Sequence, residues 1–490
     1  VILKRKKPPS FKKDYAPLNI QKNTEASFLP LTTFANNFFQ LTHKEHYKKN
    51  WAIAWPVMIG QIGHVMVGLA DSIMIGGLGT VALAAGAFAN SVFIVPMVFG
   101  IGMAYGLTTP IANADGEGAP LKARSFLKHG IYLNTFVAIL MFLVLLAFQN
   151  LLPFMGQELA VLEKSKSYFT IICLSIIPLL GFLTFKQFAE GLSDTRVAMV
   201  ISIAANLLNI FLNYLLIYGN HGFPELGLDG AGYATLIARV IMLISMAIYV
   251  FRKPAFKIYT AGIEWLKIEK EHFKILFNIG FPSGLQYIFE VSTFAMAAVM
   301  AGWINAESLA AHQIAISLAS VSYMAASGFG AAANVRVSNL LGAGKIHSMR
   351  RAAHSNFILV LALMLVFGLI YLFGRFYFPS FYSNDPDVIA LSAQLLIVAV
   401  AFQLFDGMQV TTLSALRGLS ETQIPTLIVF ISYWIIGFAA CYTLGFTFGL
   451  GPLGIWIGLA IALIIASIFL FWRFEYLVIQ LLKNDKNGKD

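Results

Sequence analysis

Cysteine is almost absent from this chain of 490 residues, with two in all, Cys173 and Cys441. Both fall inside apolar runs, so there is no disulfide framework and no metal-ligand spacing. Charge is scarce as well: 12% of residues are Asp, Glu, Lys or Arg against 58% apolar, too little polar surface to cover a water-soluble fold. Reactive constellations are missing too. There is no His-Glu-x-x-His, no cysteine pair and no nucleophile motif, and the nine histidines are scattered. The expectation is a protein that is not an enzyme and carries no cofactor. Residues 1–50 mix Lys, Pro, Asn and Thr without the apolar run of a cleavable signal peptide, and they read as a disordered cytoplasmic tail whose Lys4 to Lys7 could touch anionic lipid.

Long apolar runs take the place of the missing charge. About twelve of them are long enough to cross a hydrocarbon core: 51–77, 84–110, 129–150, 167–187, 197–218, 230–251, 273–302, 308–335, 353–373, 388–414, 424–446 and 453–473. Lipid leaves no partner for an unpaired backbone, so the runs must be helices, and the fold class is an all-α integral membrane protein. The division expected is a six-helix bundle over 51–251, a cytoplasmic linker over 252–272, a second six-helix bundle over 273–474 and a cytoplasmic tail over 475–490. Net charge is +10, which by itself would suit nucleic acid, but its distribution suits a membrane. Ten of the 34 Lys and Arg precede Trp51 and twenty more fall in alternate loops or the C-terminal tail, Lys186, Arg336 and Arg417 being counted among them. The opposite loops hold Lys164, Lys166 and Arg375. That asymmetry places both termini in the cytoplasm, as an even helix count requires.

The two halves match each other. Leu83-Ala-Ala-Gly-Ala-Phe-Ala-Asn-Ser91 reads against Leu309-Ala-Ala-His-Gln-Ile-Ala-Ile-Ser317, and Asp115-Gly-Glu-Gly118 against Leu341-Gly-Ala-Gly344, both at 309 − 83 = 226. Glu190-Gly-Leu-Ser-Asp-Thr195 matches Arg417-Gly-Leu-Ser-Glu-Thr422 at 417 − 190 = 227, and Gly227-Leu-Asp-Gly230 matches Gly451-Pro-Leu-Gly454 at 451 − 227 = 224. Four matches in one order indicate duplication. With six helices each, the halves are parallel repeats around a central cavity, a frame for rocking motion and transport. The Gly-rich loops read as tight turns, since they lack phosphate-loop spacing.

Acids inside the spans are costly, about 2.5–3.5 kcal/mol or more, and they face a cavity, a partner or an ion. Glu290 lies near the middle of the seventh span, with Gln286, Tyr287 and Thr293 on its face by helical spacing; Asp406 lies in the tenth, flanked by Gln403 and Gln409. Such oxygens could hold Na+, or the acids could carry a proton. Asp71 in the first span shares a polar face with Gln61 and His64, and Asn206, Asn209 and Asn213 of the fifth span could meet it. His64 is either a proton relay or a hydrogen-bonded core histidine. Arg239, the one deep base, either pairs with an acid or snorkels. Under the repeat offset Glu290 aligns with His64, Asp406 with Leu179 and Asp71 with Ala297, so the acids break the symmetry.

Pro282-Ser-Gly-Leu-Gln-Tyr-Ile-Phe-Glu290, Ala311-His-Gln313, Asn339-Leu-Leu-Gly-Ala-Gly344, Phe405-Asp406 with Leu416-Arg-Gly418, and Ala189-Glu-Gly191 together resemble the multidrug and toxic compound extrusion family, in its NorM-like branch. The similarity runs from about Trp51 to Trp472. It implies a twelve-helix antiporter of a bacterial inner membrane that exchanges Na+ or H+ for small organic cations. It also points to Glu290 and Asp406 as ion-coupling acids and links Asp71 and Asn209 to a cation or substrate region. Gln313 and Phe402 join the expected cavity or supporting residues. Two positions depart from relatives: an amide, Asn213, stands near where several have an acid, and Phe402 stands where some Na+-coupled ones have Tyr. The expected partners are organic cations, a monovalent cation and the bilayer, with no nucleic acid, and the expected state is a monomer. A flippase for a lipid-linked saccharide is the alternative within transport.

Overall fold

The structure is a computed structural model that describes residues 43–487. The expected tail up to residue 42 lies outside the described residues. Among the described residues the regular structure is entirely helical, and twelve helices are long and apolar enough to span a bilayer. They are α1 (Lys44–Gly76), α2 (Thr80–Gly116), α3 (Pro120–Met155), α4 (Leu159–Gly191), α5 (Arg196–Tyr218), α6 (Leu228–Arg252), α7 (Lys270–Ile304), α8 (Ala306–Gly342), α9 (Ile346–Phe373), α10 (Pro386–Gly418), α11 (Gln423–Thr447) and α12 (Gly451–Asp485).

Every expected span is present, but several ends lie further out. Helical backbone begins at His43, ahead of the expected start at Trp51, and continues to Asn487, through most of the expected C-terminal tail. The reason is that polar residues at these ends are bonded inside the bundle. Asn50 donates to the Ala352 carbonyl (2.9 Å), Arg336 donates to His46 (3.1 Å), and Glu475 accepts from Arg350 (2.6 Å) and meets His354 (2.5 Å). Lys186, Arg336 and Arg417, expected in loops, are instead buried in helices. Large side chains such as Phe136, Leu143 and Val144 are exposed on the outside of α3, as a lipid-facing surface requires.

The duplication is visible in the backbone. Ser193 and Ser420, 227 apart in the aligned Gly-Leu-Ser segments, both adopt the left-handed conformation (φ 64° and 60°), one that side chains other than glycine rarely take. Gly118 and Gly344 do the same (φ 67° and 70°), each closing a tight turn onto Asp115 and Leu341 respectively. The expected turns are thus present at matched positions. Each half has its own apolar core, one around Phe169, Phe182 and Phe188, the other around Trp456, Tyr433 and Phe474. A third, smaller cluster (Ile53, Ala54, Ala112, Ala326, Phe329, Val360 and neighbours) joins the halves.

That joint lies towards one face, the one where α1 begins and α12 ends, here called the near face. Thr109 donates to Asn334 (2.8 Å), Ser338 donates to the Thr109 carbonyl (2.6 Å), and Asn339 donates to Asp115 (2.8 Å). The tightest approach is between the ends of α2 and α8. A Cβ on Gly116 would sit 1.9 Å from the Asn339 carbonyl oxygen, and one on Gly342 would sit 2.1 Å from that of Asn113. These contacts exchange under the repeat, since 342 − 116 and 339 − 113 are both 226. The halves therefore meet backbone to backbone about a pseudo-two-fold axis. A linker with two short helical segments, Pro254–Phe256 and Lys257–Thr260, connects them and is strapped to α3: Arg124 donates to Ile258 (2.9 Å), Tyr132 to Trp265 (2.7 Å), and Lys128 to Glu264 (3.1 Å) and to Lys267.

Candidate functional site: buried carboxylates in each half

Glu290 and Asp406 come together in the second half. Both are buried, and the charge of Asp406 is felt by Glu290. Among the described residues Asp406 Oδ1 has no hydrogen-bond partner, and neither amide atom of the neighbouring Gln403 has one. Three phenols from three helices lie in the field of the carboxylates: Tyr287 on α7 in that of Glu290, and Tyr323 on α8 and Tyr433 on α11 in that of both. Tyr433 donates to Gln409 (2.6 Å) from a π-helical stretch, Ile431–Gly437, that interrupts α11. One extra residue per turn there takes the register off the ordinary helical period, a distortion common at functional sites. A small cavity beside Glu290 is lined by Gln286, Tyr287, Glu290, Tyr323, Ser414 and Arg417, among others.

The polar stripe expected around Glu290 is present but only partly turned toward it. Gln286 donates to Thr426 (2.9 Å) and Thr293 bonds back to the Phe289 carbonyl (2.8 Å). Phe402 packs against Phe294 and Trp456 and brings no oxygen to the site. Gln313 is exposed and has no described contact with the pair. What takes its place is Arg417, buried at the end of α10. Its Nε donates to Ser283 Oγ (3.0 Å), an Nη donates to Gln286 Oε1 (3.3 Å), and its guanidinium lies 5.5 Å from the ring centroid of Tyr105 in the first half. Tyr105 in turn stacks on Tyr287 at 5.9 Å and interacts with Gln61. The Leu-Arg-Gly motif marked Arg417 in the sequence, but its place near a span end gave it the look of a loop charge.

In the first half Asp71 meets the amides of α5. Asn213 donates to Asp71 Oδ1 (2.5 Å), and the Asn209 amide, assigned with its nitrogen toward the acid because that orientation satisfies both its ends, donates to the same oxygen (2.9 Å) while accepting the Thr235 N–H (3.2 Å). Asn206 turns elsewhere, against Gly63. Thr235 of α6 was not singled out beforehand; its position one turn from Arg239 was the available signal. Arg239 neither snorkels nor forms an ion pair among the described residues. It donates to Ser175 (2.6 Å), lies over Phe93 at 5.6 Å and contributes its charge near Asp71. His64 is exposed on α1, so a sealed core histidine is not what the structure holds. Lys186 and Glu190, both buried, form a further pair at 3.7 Å.

One trio resembles a metal site by proximity: His129, Glu269 and His272, where the linker enters α7. Its donors are already in use. His129 Nδ1 bonds the Ser125 carbonyl (2.7 Å) and its Nε2 accepts the Glu269 N–H (2.9 Å), while Ser125 Oγ and His272 Nδ1 engage Glu269 Oε2 (2.6 and 2.5 Å). The Ser125 hydroxyl, with His272 and Lys128 nearby, holds the Glu269 carboxyl below the usual carboxylate range. The trio is a strap between linker and α3.

The MatE family model matches residues 56–215 and 282–443, one match in each half. The multidrug resistance protein NorM of Photobacterium profundum is 32% identical over 434 residues, covering 87% of this chain and 95% of its own. The multidrug resistance protein MdtK of Yersinia pseudotuberculosis is 31% identical, covering 87% and 94%. Among solved structures, an outward-facing multidrug resistance MATE family transporter superposes with a TM-score of 0.83 at 20% identity, covering 89% of this chain and 97% of its own. Duplicated six-helix halves, buried carboxylates in each and a family match that repeats across both lead to one assignment: the chain belongs to the MatE family of multidrug and toxic compound extrusion transporters.

Proposed function

We propose that this protein is a secondary active multidrug exporter of a bacterial inner membrane, exchanging Na+ or H+ for lipophilic organic cations by alternating access. The observation that carries the reading is the pair Glu290 and Asp406: two buried acids in one lobe, Glu290 within the field of Asp406, with no ion-pair partner among the described residues. Two such carboxylates cannot both stay charged and unpaired at low cost, so a cation or a proton on one of them is stabilising. An organic cation competes for the same negative charge, and that competition is the coupling.

With both termini in the cytoplasm, the near-face joint closes the inner side and leaves the cleft between the halves to open outward. An ion taken up there and released inward gains ~2.3 kcal/mol per 100 mV, close to a fifty-fold bias before any concentration gradient. The flippase alternative requires a cationic pocket for phosphate. The buried bases Lys186 and Arg417 and the half-buried Arg239 are more than the sequence suggested, but each is occupied by protein partners.

The test is efflux of a fluorescent organic cation from everted vesicles, with Na+ and pH gradients imposed separately. The double variant Glu290→Gln, Asp406→Asn should lose gradient-driven efflux while remaining in the membrane at wild-type abundance. Undiminished efflux in that variant overturns the assignment of these acids.

A further inference from the structure

Arg417 occupies an unusual position for a buried base. It lines the same cavity as Glu290, yet no ion pair joins them among the described residues, and its guanidinium donates to two neutral side chains, Ser283 and Gln286. It also sits on the seam. Its guanidinium faces Tyr105 of the other half, and its own carbonyl accepts from Thr109 of that half (3.1 Å). The repeat counterpart is Glu190, which is paired within its own half to Lys186. The other ionisable groups facing this region are Asp406 on α10, Tyr287 on α7, Tyr323 on α8, Tyr433 on α11, Tyr105 on α2 and, across the seam beside Tyr105, Glu190 on α4. Arg417 is the one base among them.

We propose that Arg417 is a tethered counter-cation for Glu290, held on Ser283, Gln286 and the Tyr105 ring while the coupling cation is bound, and moving onto Glu290 when that cation leaves. A guanidinium stays charged in any protein environment, and its bonds to neutral acceptors are weaker than those to a carboxylate. An ion-free Glu290 is therefore the stronger partner. The move withdraws the cation from Tyr105, so loss of the ion in one half is felt as a weakened contact with the other. Arg417 acts through Glu290 as a positioning residue, and the inference rests on Glu290 being a coupling acid.

The test uses the full chain in proteoliposomes and reads the coupling-cation concentration that gives half-maximal transport, Na+ varied at fixed pH and pH varied at fixed Na+. Without its internal competitor, Arg417→Gln should need about tenfold less of the coupling cation, the size expected when an adjacent opposite charge is removed. Ser283→Ala and Tyr105→Leu free the guanidinium and should shift the requirement the opposite way. Arg417→Lys keeps the charge without the planar fork and should fall between wild type and Arg417→Gln. An unchanged requirement in Arg417→Gln, or a shift in the same direction for Ser283→Ala, overturns the proposal. If Arg417→Gln is absent from membranes, Ser283→Ala and Tyr105→Leu decide it: an unchanged requirement in both overturns it. Glu290→Gln separates the two levels. If it keeps the wild-type ion requirement, the coupling role of Glu290 fails; if it loses that requirement while Arg417→Gln is unchanged, Arg417 alone is wrongly placed.

Discussion

Asp71 is held by amides rather than by a base, with Asn213 and Asn209 both donating to one carboxylate oxygen. Hydrogen bonds to a charged group contribute about 1.5–3 kcal/mol each, and these favour the ion-free carboxylate. Removing one should therefore make a bound cation or proton relatively more stable. For Asn213→Ala the expected outcome is transport that saturates at about tenfold lower coupling-ion concentration, measured in the same vesicles. An unchanged or higher requirement counts against Asp71 as an ion-responsive group. At this scale the sequence was informative about which acids matter and silent about their partners. Helical spacing put Gln286 and Thr293 on the face of Glu290, but spacing does not say which way an amide or hydroxyl is bonded, and both are engaged elsewhere. Tyr433 was beyond its reach altogether, because the π-helical register of Ile431–Gly437 breaks the period on which such face assignments depend.

Among the elements, α2 and α8 cross where Gly116 and Gly342 leave no room for a methyl group. Because the obstructing atoms are main-chain carbonyls, an added Cβ must push the helices apart. Gly116→Ala and Gly342→Ala should each cost about 1–3 kcal/mol in the near-face-closed arrangement, enough to shift the balance between open and closed forms. Spin labels at Glu117 and Ala343 should report a longer mean distance in either variant; an unaltered distribution shows that the crossing does not limit closure. The linker strap makes a separate prediction. Glu269 has a folded-state pKa below its unfolded value, set first by the Ser125 hydroxyl, so its contribution is fully present above the unfolded value of about 4.3 and is lost as pH falls through the lower folded value. Hydrogen-exchange protection of Lys257–Thr260 should hold down to about pH 5 and decline only in stronger acid. Glu269→Gln should lower that protection at neutral pH, and equal protection in wild type and variant rules out the carboxylate as the clasp.

The twelve-helix architecture was legible because lipid leaves few choices: a long run without charge must be a helix, and twelve such runs in two matched sets must be two similar bundles. The ends of helices were less legible. Lys186, Arg336 and Arg417 look like loop charges to any count of basic residues, and only packing shows that they lie buried in helices. For the molecule as a whole, the hydrogen bonds between the halves described above lie toward the near face, so the two ends should move reciprocally. Labels at Ile73 and Val299, repeat counterparts toward the far face (299 − 73 = 226), should draw together during turnover while those at Glu117 and Ala343 separate. Distances that grow or shrink together at both ends would contradict rocking.

The backbone contact at Gly116 and Gly342 bears on how fast such motion can be. Most helix interfaces are cogged, with side chains of one helix seated between those of the other, and turning them means lifting each tooth from its gap. Here the crossing point has no teeth. Two bare helix surfaces can pivot like a bearing, without a rotamer having to change at the contact. The resistance to switching then resides around it, in the apolar cluster at Phe329 and in polar links such as Thr109 with Asn334 and Asn339 with Asp115. Links of that kind can be released one at a time.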